Sequence, residues 1–590
     1  MAYYPQEIKV KSELQEKTTE VNLSCDHLTT TNFGDLNVAY YRHNTPREHF
    51  ELDAAVFARP MPLQMPVMAK ADHHLKFYYV PFRTISPQWN AFINKEPYVN
   101  YNGTTPFQVQ EMPYITPKVL GDFLIRTDIS EVVTVNDNYD YIFEGRYYRL
   151  LPLGRYAVKI LNQLGYQIIL PGREDGGTEH IDAMGILAYA KVYQDWYINN
   201  RWVNNINYSI KLEQLFKKDN TTAYALTAQD LYDIFFTCQK AFYNEDYFVA
   251  CWSNPTSPQY SAIGTVILED ITLYKDTTVS NGNGGSDVGT PRIHNSTNGK
   301  EETKPITQYA IDSLKKMTDY CARFAMAGVR SVDRYLARFG VLLSSEKMKR
   351  SIYYGEQITP MEFGAVYSNA ATSGANLGDY AGSGLINSDG KQHKHFEIES
   401  DEYGIIIGIS TIIPKIGYYQ GIDRNNMHHE VETYFSGIFD QLGTQAVSAA
   451  ELYVSKDNQS GYTGDEQLQR VFGWLPRGVE YKTPRDRLTG DFAIKSVNAY
   501  ANAWHLFREF TDDTFDSDAM VITPWFTGMY DSGQYLRIFD ETNEEDGDHF
   551  NVIYQFKAIA RIHAKPLYES YDFESEGKEI LLNGTGPKQN

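Results

Sequence analysis

The sequence predicts a mainly β protein, and three segments carry this prediction. In residues 75–80 and 550–557, two kinds of side chain alternate along the chain, which is the period of a strand with two different faces. Residues 403–413 form a nearly continuous run rich in isoleucine, which indicates a strand buried on both faces. These segments predict a body built mainly from strands.

The first block, residues 22–92, has the character of extended structure interrupted by prolines. Pro60, Pro62, Pro66 and Pro81 cannot donate a backbone hydrogen bond to a neighbouring strand. We therefore expect these prolines at strand ends and sheet edges.

Three segments predict helices, because apolar side chains recur in them at steps of three and four residues. A stripe of this kind is far more often the core-facing side of a helix than a cofactor site. The three stripes are Ile186, Tyr189, Tyr193 and Trp196; Leu231, Ile234, Cys238 and Phe242; and Ala310, Leu314, Met317, Cys321 and Phe324.

Two stretches, residues 276–304 and 368–394, are rich in Gly, Asn and Ser and poor in apolar side chains. Little apolar burial is available there to offset the entropy of ordering the chain, so we expect exposed loops. The first is explained equally well as a flexible connector or as a recognition loop. Residues 569–590 are polar, and we expect a loosely held tail.

The net charge of −21, from 54 Lys and Arg against 75 Asp and Glu, argues against a chain that neutralises nucleic acid by itself. The four cysteines form no CxxC pair, which favours a reducing cytoplasm as the place of synthesis. No run of about 18 apolar residues predicts a membrane span. The aromatic content of 14% favours contacts with other chains, since Tyr and Trp are enriched at interfaces.

Residues that could carry catalysis or bind a metal are scattered. Histidines cluster at 73–74, 428–429 and 393–395 without the spacing of a metal motif, so we expect surface or interface histidines. The acidic run 540–548 lacks the spacing of a calcium loop, and we expect a solvated turn. The sequence carries neither a phosphate-binding loop nor a hydrolase motif. We therefore predict no catalytic residue, no cofactor and no metal.

A series of short segments rich in aromatic residues, glycine and proline runs from about residue 21 to residue 568. Its most distinctive members are 471–492, which includes Phe472-Gly473-Trp474-Leu475-Pro476-Arg477, and 503–506, which reads Ala-Trp-His-Leu. The others are 57–68, 77–92, 188–197, 246–248, 338–341, 404–408, 419–422 and 556–557. This ordered series resembles the major capsid protein of the microviruses, small icosahedral bacteriophages with single-stranded DNA.

The resemblance implies an eight-stranded antiparallel jelly roll of the viral capsid type, with long insertions that contain helices and loops. On this basis residues 1–20 are an N-terminal arm, residues 21–568 a single capsid domain and residues 569–590 a C-terminal tail. Residues 276–304 resemble a variable surface insertion of gokushovirus-like relatives, which implies host attachment. The chain differs enough from the commoner pattern to suggest a divergent branch from gut phages.

The resemblance also implies partners: further copies in pentamers and a T=1 icosahedral shell, circular single-stranded genomic DNA, minor spike or pilot proteins, and a bacterial surface receptor. Because each subunit carries an excess of negative charge, we expect a separate small basic protein to accompany the DNA. The implied location is the virion, assembled in the cytoplasm of the host bacterium. The alternatives are a glycan-binding β-sandwich protein and a polysaccharide-degrading enzyme, which seven Trp in 590 residues support only weakly.

The candidate contact site is a loop in which guanidinium groups and aromatic rings alternate. We favour a brace that pairs with carboxylates of a neighbouring subunit over contact with DNA bases by stacking. The residues are Trp474, Arg477, Tyr481, Arg485 and Arg487.

Overall fold

A computed structural model gives the fold. It describes residues 18–65, 67–99, 103, 105–135, 137–143, 145–166, 179–198, 203–217, 224–252, 272–274, 292–294, 304–305, 316, 335–336, 339–341, 349–363, 386–387, 395–428, 434–437, 444–454, 471–494, 501–510, 533–540 and 547–563.

Strands dominate the described part of the chain. In chain order they are β1 (Thr18–Asn22), β2 (Cys25–Thr31), β3 (Asn37–Asn44), β4 (Glu48–Pro60), β5 (Lys70–Pro81), β6 (Pro97–Tyr98), β7 (Phe107–Gln108), β8 (Tyr114–Ile115), β9 (Ser130–Val133), β10 (Tyr141–Phe143), β11 (Arg146–Leu150), β12 (Ile181–Asp182), β13 (Thr272–Tyr274), β14 (Arg292–His294), β15 (Lys304–Pro305), β16 (Ile352–Glu362), β17 (Ile386–Asn387), β18 (His395–Ser400), β19 (Gly404–Pro414), β20 (Thr444–Ser448), β21 (Val471–Pro476) and β22 (Phe550–His563).

Most of the described helices lie between β5 and β13. The α-helices are α1 (Phe82–Ile85), α2 (Trp89–Asn94), α3 (Pro117–Leu124), α4 (Pro152–Gln163), α5 (Met184–Val192), α6 (Val203–Phe216), α7 (Ala228–Thr237) and α8 (Gly533–Leu536). A π-helical segment, Tyr193–Tyr197, continues α5. Short 3₁₀ helices span Arg424–Asn426, Ala449–Glu451, Val479–Tyr481, Gly490–Ala493 and Ala501–Trp504.

Two antiparallel sheets form the centre of the protein. In the first, β22 lies between β4 on one side and both β1 and β2 on the other, and β4 also pairs with β17 and β18. β1 and β2 pair with successive stretches of β22, and β17 and β18 pair with different stretches of β4. The second sheet has the order β16-β5-β19-β3. Each sheet therefore has four strand positions.

The inner faces of the two sheets enclose an aromatic core. Phe77 of β5 packs against Phe396 of β18 with ring centroids 4.6 Å apart, and Tyr40 of β3 packs against Phe556 of β22 at 5.1 Å. All four side chains are buried. Because these pairs join opposite sheets, burial of their rings holds the sandwich together.

A helical layer covers the other face of the second sheet. Tyr78 and Val80 of β5 and the alternate isoleucines of β19 pack into one apolar cluster with α3, α4, α5 and α7. Strands β5 and β19 are therefore buried on both faces. The run of isoleucines in β19 is explained by this position, since every residue from Gly404 to Pro414 is buried.

The three strand predictions are confirmed. β5, β19 and β22 cover the segments at 75–80, 403–413 and 550–557, and β22 buries alternate residues from Phe550 onward. Pro60 and Pro81 are the last residues of β4 and β5, as expected for residues that cannot continue a ladder. The side chains that alternate along β5 lie on two faces of the strand, and both faces are buried.

Two of the three predicted helices are present, with changes. The first is α5, which continues into the π segment and buries Asp195; this carboxylate accepts bonds from the Ser351 backbone N–H at 2.7 Å and from Lys191 at 3.0 Å. The second, α7, ends at Thr237, so Phe242 lies beyond it. The third stripe, at residues 310–324, lies outside the described residues.

Helices α3 and α4 were not predicted, although both start with a recognisable signal. Each begins with a proline at its first position, where the missing N–H costs nothing. Thr116 also caps α3 by accepting a bond from the backbone N–H of Val119.

Most residues of the two predicted loops, and the tail 569–590, lie outside the described part. Within 276–304, β14 pairs with β13 and β15, and within 368–394, β17 pairs with β4. The N-terminal strand β1 begins at Thr18, inside the segment predicted as an arm.

Two histidines of β5 correct a prediction. His73 and His74 were expected at a surface or an interface, but both are buried. His73 faces the core between the sheets, 3.4 Å from the Tyr554 hydroxyl, whereas His74 faces the other way and contacts Glu356. The expectation is wrong here because burial depends on the covering layers, which a local pattern does not reveal.

We expect His73 to make the fold sensitive to acid. Burial, with a smaller effect of His74, lowers the pKa of His73 to about 3. Below pH ~6.5 the unfolded chain binds a proton that the folded chain does not bind until about pH 3, so stability falls with decreasing pH in this window. The loss at pH 5 is about 2 kcal/mol. Thermal unfolding at pH 7 and pH 5 should show a smaller difference for His73→Phe than for wild type.

His395→Gln is the matched control. The Asp53 carboxylate accepts a hydrogen bond from His395 and raises the pKa of this exposed histidine of β18, so its protonation favours folding as the pH falls. Removing it should not reduce the acid sensitivity. Equal pH dependence in wild type and His73→Phe would contradict the prediction.

Candidate functional site

Of the five predicted site residues, Trp474 lies in β21 and the other four lie in the loop that follows this strand. β21 pairs with β20, and the backbone of Trp474 exchanges two hydrogen bonds of 2.9 Å with Trp252. Beneath this pairing lies a small apolar cluster that includes Phe248, Phe472 and Phe510. The start of the loop is therefore fixed to two separate parts of the chain.

The carboxylate of Glu451 organises the site, and its side chain is fully buried. It accepts hydrogen bonds of 3.0 Å each from Arg424, Arg485, the Tyr247 hydroxyl and the backbone N–H of Ser448. Burial, together with the nearby Glu451, raises the pKa of Tyr247 well above its usual range. The phenol therefore stays protonated and donates to the carboxylate.

Arg485 is used inside the chain. Besides its bond to Glu451, its guanidinium lies 4.1 Å from the ring centroid of Tyr247 and 5.3 Å from that of Phe248. Only 21% of its side chain is exposed. This cation–π and ion-pair arrangement holds the loop against residues 247–248.

Arg487 and Tyr481 face outward. The Arg487 side chain is 77% exposed, and it donates a hydrogen bond of 3.4 Å to Asp423. Tyr481 ends a short 3₁₀ helix and is 46% exposed. Arg477, directly after β21, and Trp474 are half-buried. The five residues therefore lie on β21 and the loop that follows it, but in different surroundings.

Tyr481 belongs to a group of neighbouring rings that we call the aromatic patch: His428, Tyr434, Phe435 and Tyr481. The ring centroids are 5.1 Å apart for Phe435 and Tyr481, 5.9 Å for His428 and Tyr481, and 5.4 Å for His428 and Tyr434. Tyr434 and Phe435 are 57% and 46% exposed. A separate cavity of about 590 Å³ is lined by residues 484–489 and by Tyr418, Tyr419 and Asp423, among others.

Sequence reasoning missed Glu451, although a signal for it exists. Ser448 and Glu451 form a capping box, in which the Ser side chain accepts a backbone bond and the Glu side chain reaches back to the Ser448 N–H. The pattern Ser-x-x-Glu is recognisable in a sequence. Its partners Arg424 and Arg485 give no such local signal.

Other candidate groups do not form a reactive centre in the described part of the chain. No three His, Cys, Asp or Glu side chains among the described residues could hold a metal ion. Of the acidic run at 540–548, Asp548 is not in a solvated turn but pairs with Lys159 at 2.9 Å, which also contacts Asp35 at 2.8 Å. Cys25, Cys238 and Cys251 are free thiols. No described helix is long and apolar enough to cross a membrane.

Comparison with known proteins identifies the family. The family described as "Capsid protein (F protein)" matches residues 9–120 and 152–523, which is most of the chain. The chain belongs to this capsid protein family. The predicted resemblance to microvirus capsid proteins is thereby confirmed.

Two relatives of this capsid protein are named Capsid protein VP1. The one from Chlamydia phage 1 is 27% identical over 210 residues, which are 34% of this chain and 34% of the relative. The one from Bdellovibrio phage phiMH2K is 22% identical over 188 residues, which are 32% of this chain and 33% of the relative. The aligned part therefore spans about a third of each relative.

Family membership decides the broad class. The capsid protein is a structural component of a virion and not an enzyme. This removes the alternatives of a polysaccharide-degrading enzyme and a separate glycan-binding protein. The Glu451 network accordingly has a structural explanation: it fixes the loop that carries Arg487 and Tyr481.

Proposed function

We propose that the chain is the major capsid protein of a small bacteriophage, and that many copies assemble into a T=1 icosahedral shell around circular single-stranded DNA. The observation that carries the proposal is the nested pairing of the strands. Joined to the family assignment, this pairing supports a viral jelly roll as the building unit of the shell.

The nesting follows from the order of the strands along the chain. β2 pairs with β22, β3 with β19, β4 with β18 and β5 with β16. The first strand position therefore pairs with the last, the second with the last but one, and so on toward the middle of the chain. A hairpin rolled up on itself has this pairing. If β1 with β2 and β17 with β18 each occupy one position, the two sheets have eight positions, as in a jelly roll.

The charge of the chain supports a further component. Each subunit carries a formal charge of −21, so a shell made of this chain alone would repel the phosphates of its DNA. We infer that a small basic protein accompanies the genome and that spike or pilot proteins are minor components. We assign host attachment through a bacterial receptor to residues 276–304, because this stretch resembles the variable surface insertion of gokushovirus-like relatives.

The loop after β21 is the candidate contact site for a neighbouring subunit or for DNA. Trp474 and Arg485 support the loop in this role, since the backbone of Trp474 is hydrogen-bonded to Trp252 and Arg485 pairs with Glu451, and we propose Arg477 as a further contact residue. Arg487 and Tyr481 are exposed enough to contact a partner directly.

The decisive experiment is an assembly assay on the purified chain. We expect the purified chain to form closed shells or pentamers, visible by electron microscopy and as fast-sedimenting species. Contacts between copies should bury more than the ~1,600 Å² of an ordinary complex. A chain that stays monomeric at high concentration would refute the proposal. DNA-filled particles that contain neither a basic peptide nor a polyamine would refute the basic partner alone.

A further inference from the structure

We infer that the aromatic patch is a contact surface that a second copy of this chain covers. The inference rests on the proposed function, because a shell requires contacts between copies. It extends that function by naming the surface and its occupant. Tyr434 and Phe435 were not recognised as contact residues from the sequence, whereas His428 was expected at a surface or an interface.

Exposure of the patch points to a missing partner. Tyr434, Phe435 and Tyr481 expose 57%, 46% and 46% of their surface, and their rings are neighbours rather than scattered. Single exposed apolar side chains are common on protein surfaces and need no explanation. Adjacent Tyr and Phe rings are typical of the centres of interfaces, where they supply much of the binding energy.

The charges beside the patch favour a protein over DNA. Arg487 and Lys482 lie near it in the chain, but so do the exposed carboxylate of Asp486 and that of Asp423, which Arg487 contacts. A polyanion would meet these carboxylates, whereas the charged rim of another subunit can match both signs. A mixed rim around aromatic rings therefore fits a second copy of this chain.

The loop that carries Tyr481 is also held in place before any partner arrives. Gln445 of β20 donates a hydrogen bond of 2.5 Å to Glu480, the residue before Tyr481. The Arg485–Glu451 pair fixes the following part of the loop. A surface that is ordered in advance loses less entropy on binding, which favours association.

The test is the double variant Tyr481→Ala with Phe435→Ala. Sedimentation measures the protein concentration at which half of the chains are assembled. We expect this concentration to be at least tenfold higher for the double variant than for wild type. The thermal unfolding of the unassembled subunit should change little, because both rings are largely exposed. The matched control is Tyr139→Ala, which removes a 45% exposed ring that packs on Tyr147 at 4.7 Å in another part of the chain.

Each outcome decides the inference. Assembly of the double variant at the wild-type concentration would overturn it while leaving the proposed function intact. Normal shells with less packaged DNA would also overturn it and would assign the patch to nucleic acid. If the double variant does not fold, Tyr481→Glu provides the same test, since a charge at a half-exposed position disturbs an interface more than a free subunit. A wild-type chain that never assembles would refute both proposals.

Discussion

Replacing Glu451 by alanine is expected to lower the free energy of unfolding by about 3–5 kcal/mol, because it leaves Arg424 and Arg485 largely buried without their shared carboxylate. The Tyr247 hydroxyl and the Ser448 N–H lose an acceptor as well. The midpoint of urea or thermal unfolding of the unassembled subunit measures the effect.

Arg487→Gln is the matched control for the charge network. Its guanidinium is exposed and makes a long contact to Asp423, so the change should stay within about 0.5 kcal/mol. A Glu451→Ala subunit as stable as Arg487→Gln would show that the buried network does not stabilise the loop.

Replacing Gly421 by alanine is expected to destabilise the subunit by at least about 3 kcal/mol. A Cβ atom at this position would lie 2.0 Å from the carbonyl oxygen of Glu451 and 2.7 Å from the backbone nitrogen of Leu452. Backbone atoms cannot rotate away as a side chain can. The adjacent bond from the Ile422 N–H to the Ala450 carbonyl, 2.9 Å long, holds the two segments at this separation.

Gly437→Ala is the control, since a Cβ there has no atom within 4 Å. Its unfolding midpoint should match that of wild type. Soluble Gly421→Ala subunits with an unchanged midpoint would contradict the close approach of the two segments.

The strands could be predicted from the sequence because their signal is local. β19 and β22 show in their own residues whether one face or both are buried, whereas the alternation in β5 did not reveal that both of its faces are buried. The burial of His73 could not be predicted in this way. It depends on β22 in the opposite sheet, whose Tyr554 lies against the imidazole.

The residues of the candidate site could be predicted from the sequence, but the contacts that hold them in place could not. The loop with Arg485 and Tyr481 was recognised from its alternating cations and rings. Glu451 was missed because its partners Arg424, Arg485 and Tyr247 are 27, 34 and 204 residues away in the sequence. Only the folded chain brings them together, and only the folded chain turns Arg485 inward while Arg487 stays exposed.

The position of β22 has a consequence for synthesis on the ribosome. β22 is the last of the described strands along the chain, yet it lies inside its sheet, between β4 and the pair β1 and β2. Until it is translated, β4 has an unpaired edge and the aromatic core between the sheets lacks Phe550, Tyr554 and Phe556. Late insertion of a central strand delays completion of the subunit. A chain that stops before β22 is complete would leave the edge of β4 and this apolar surface exposed, which favours aggregation of the unfinished subunit.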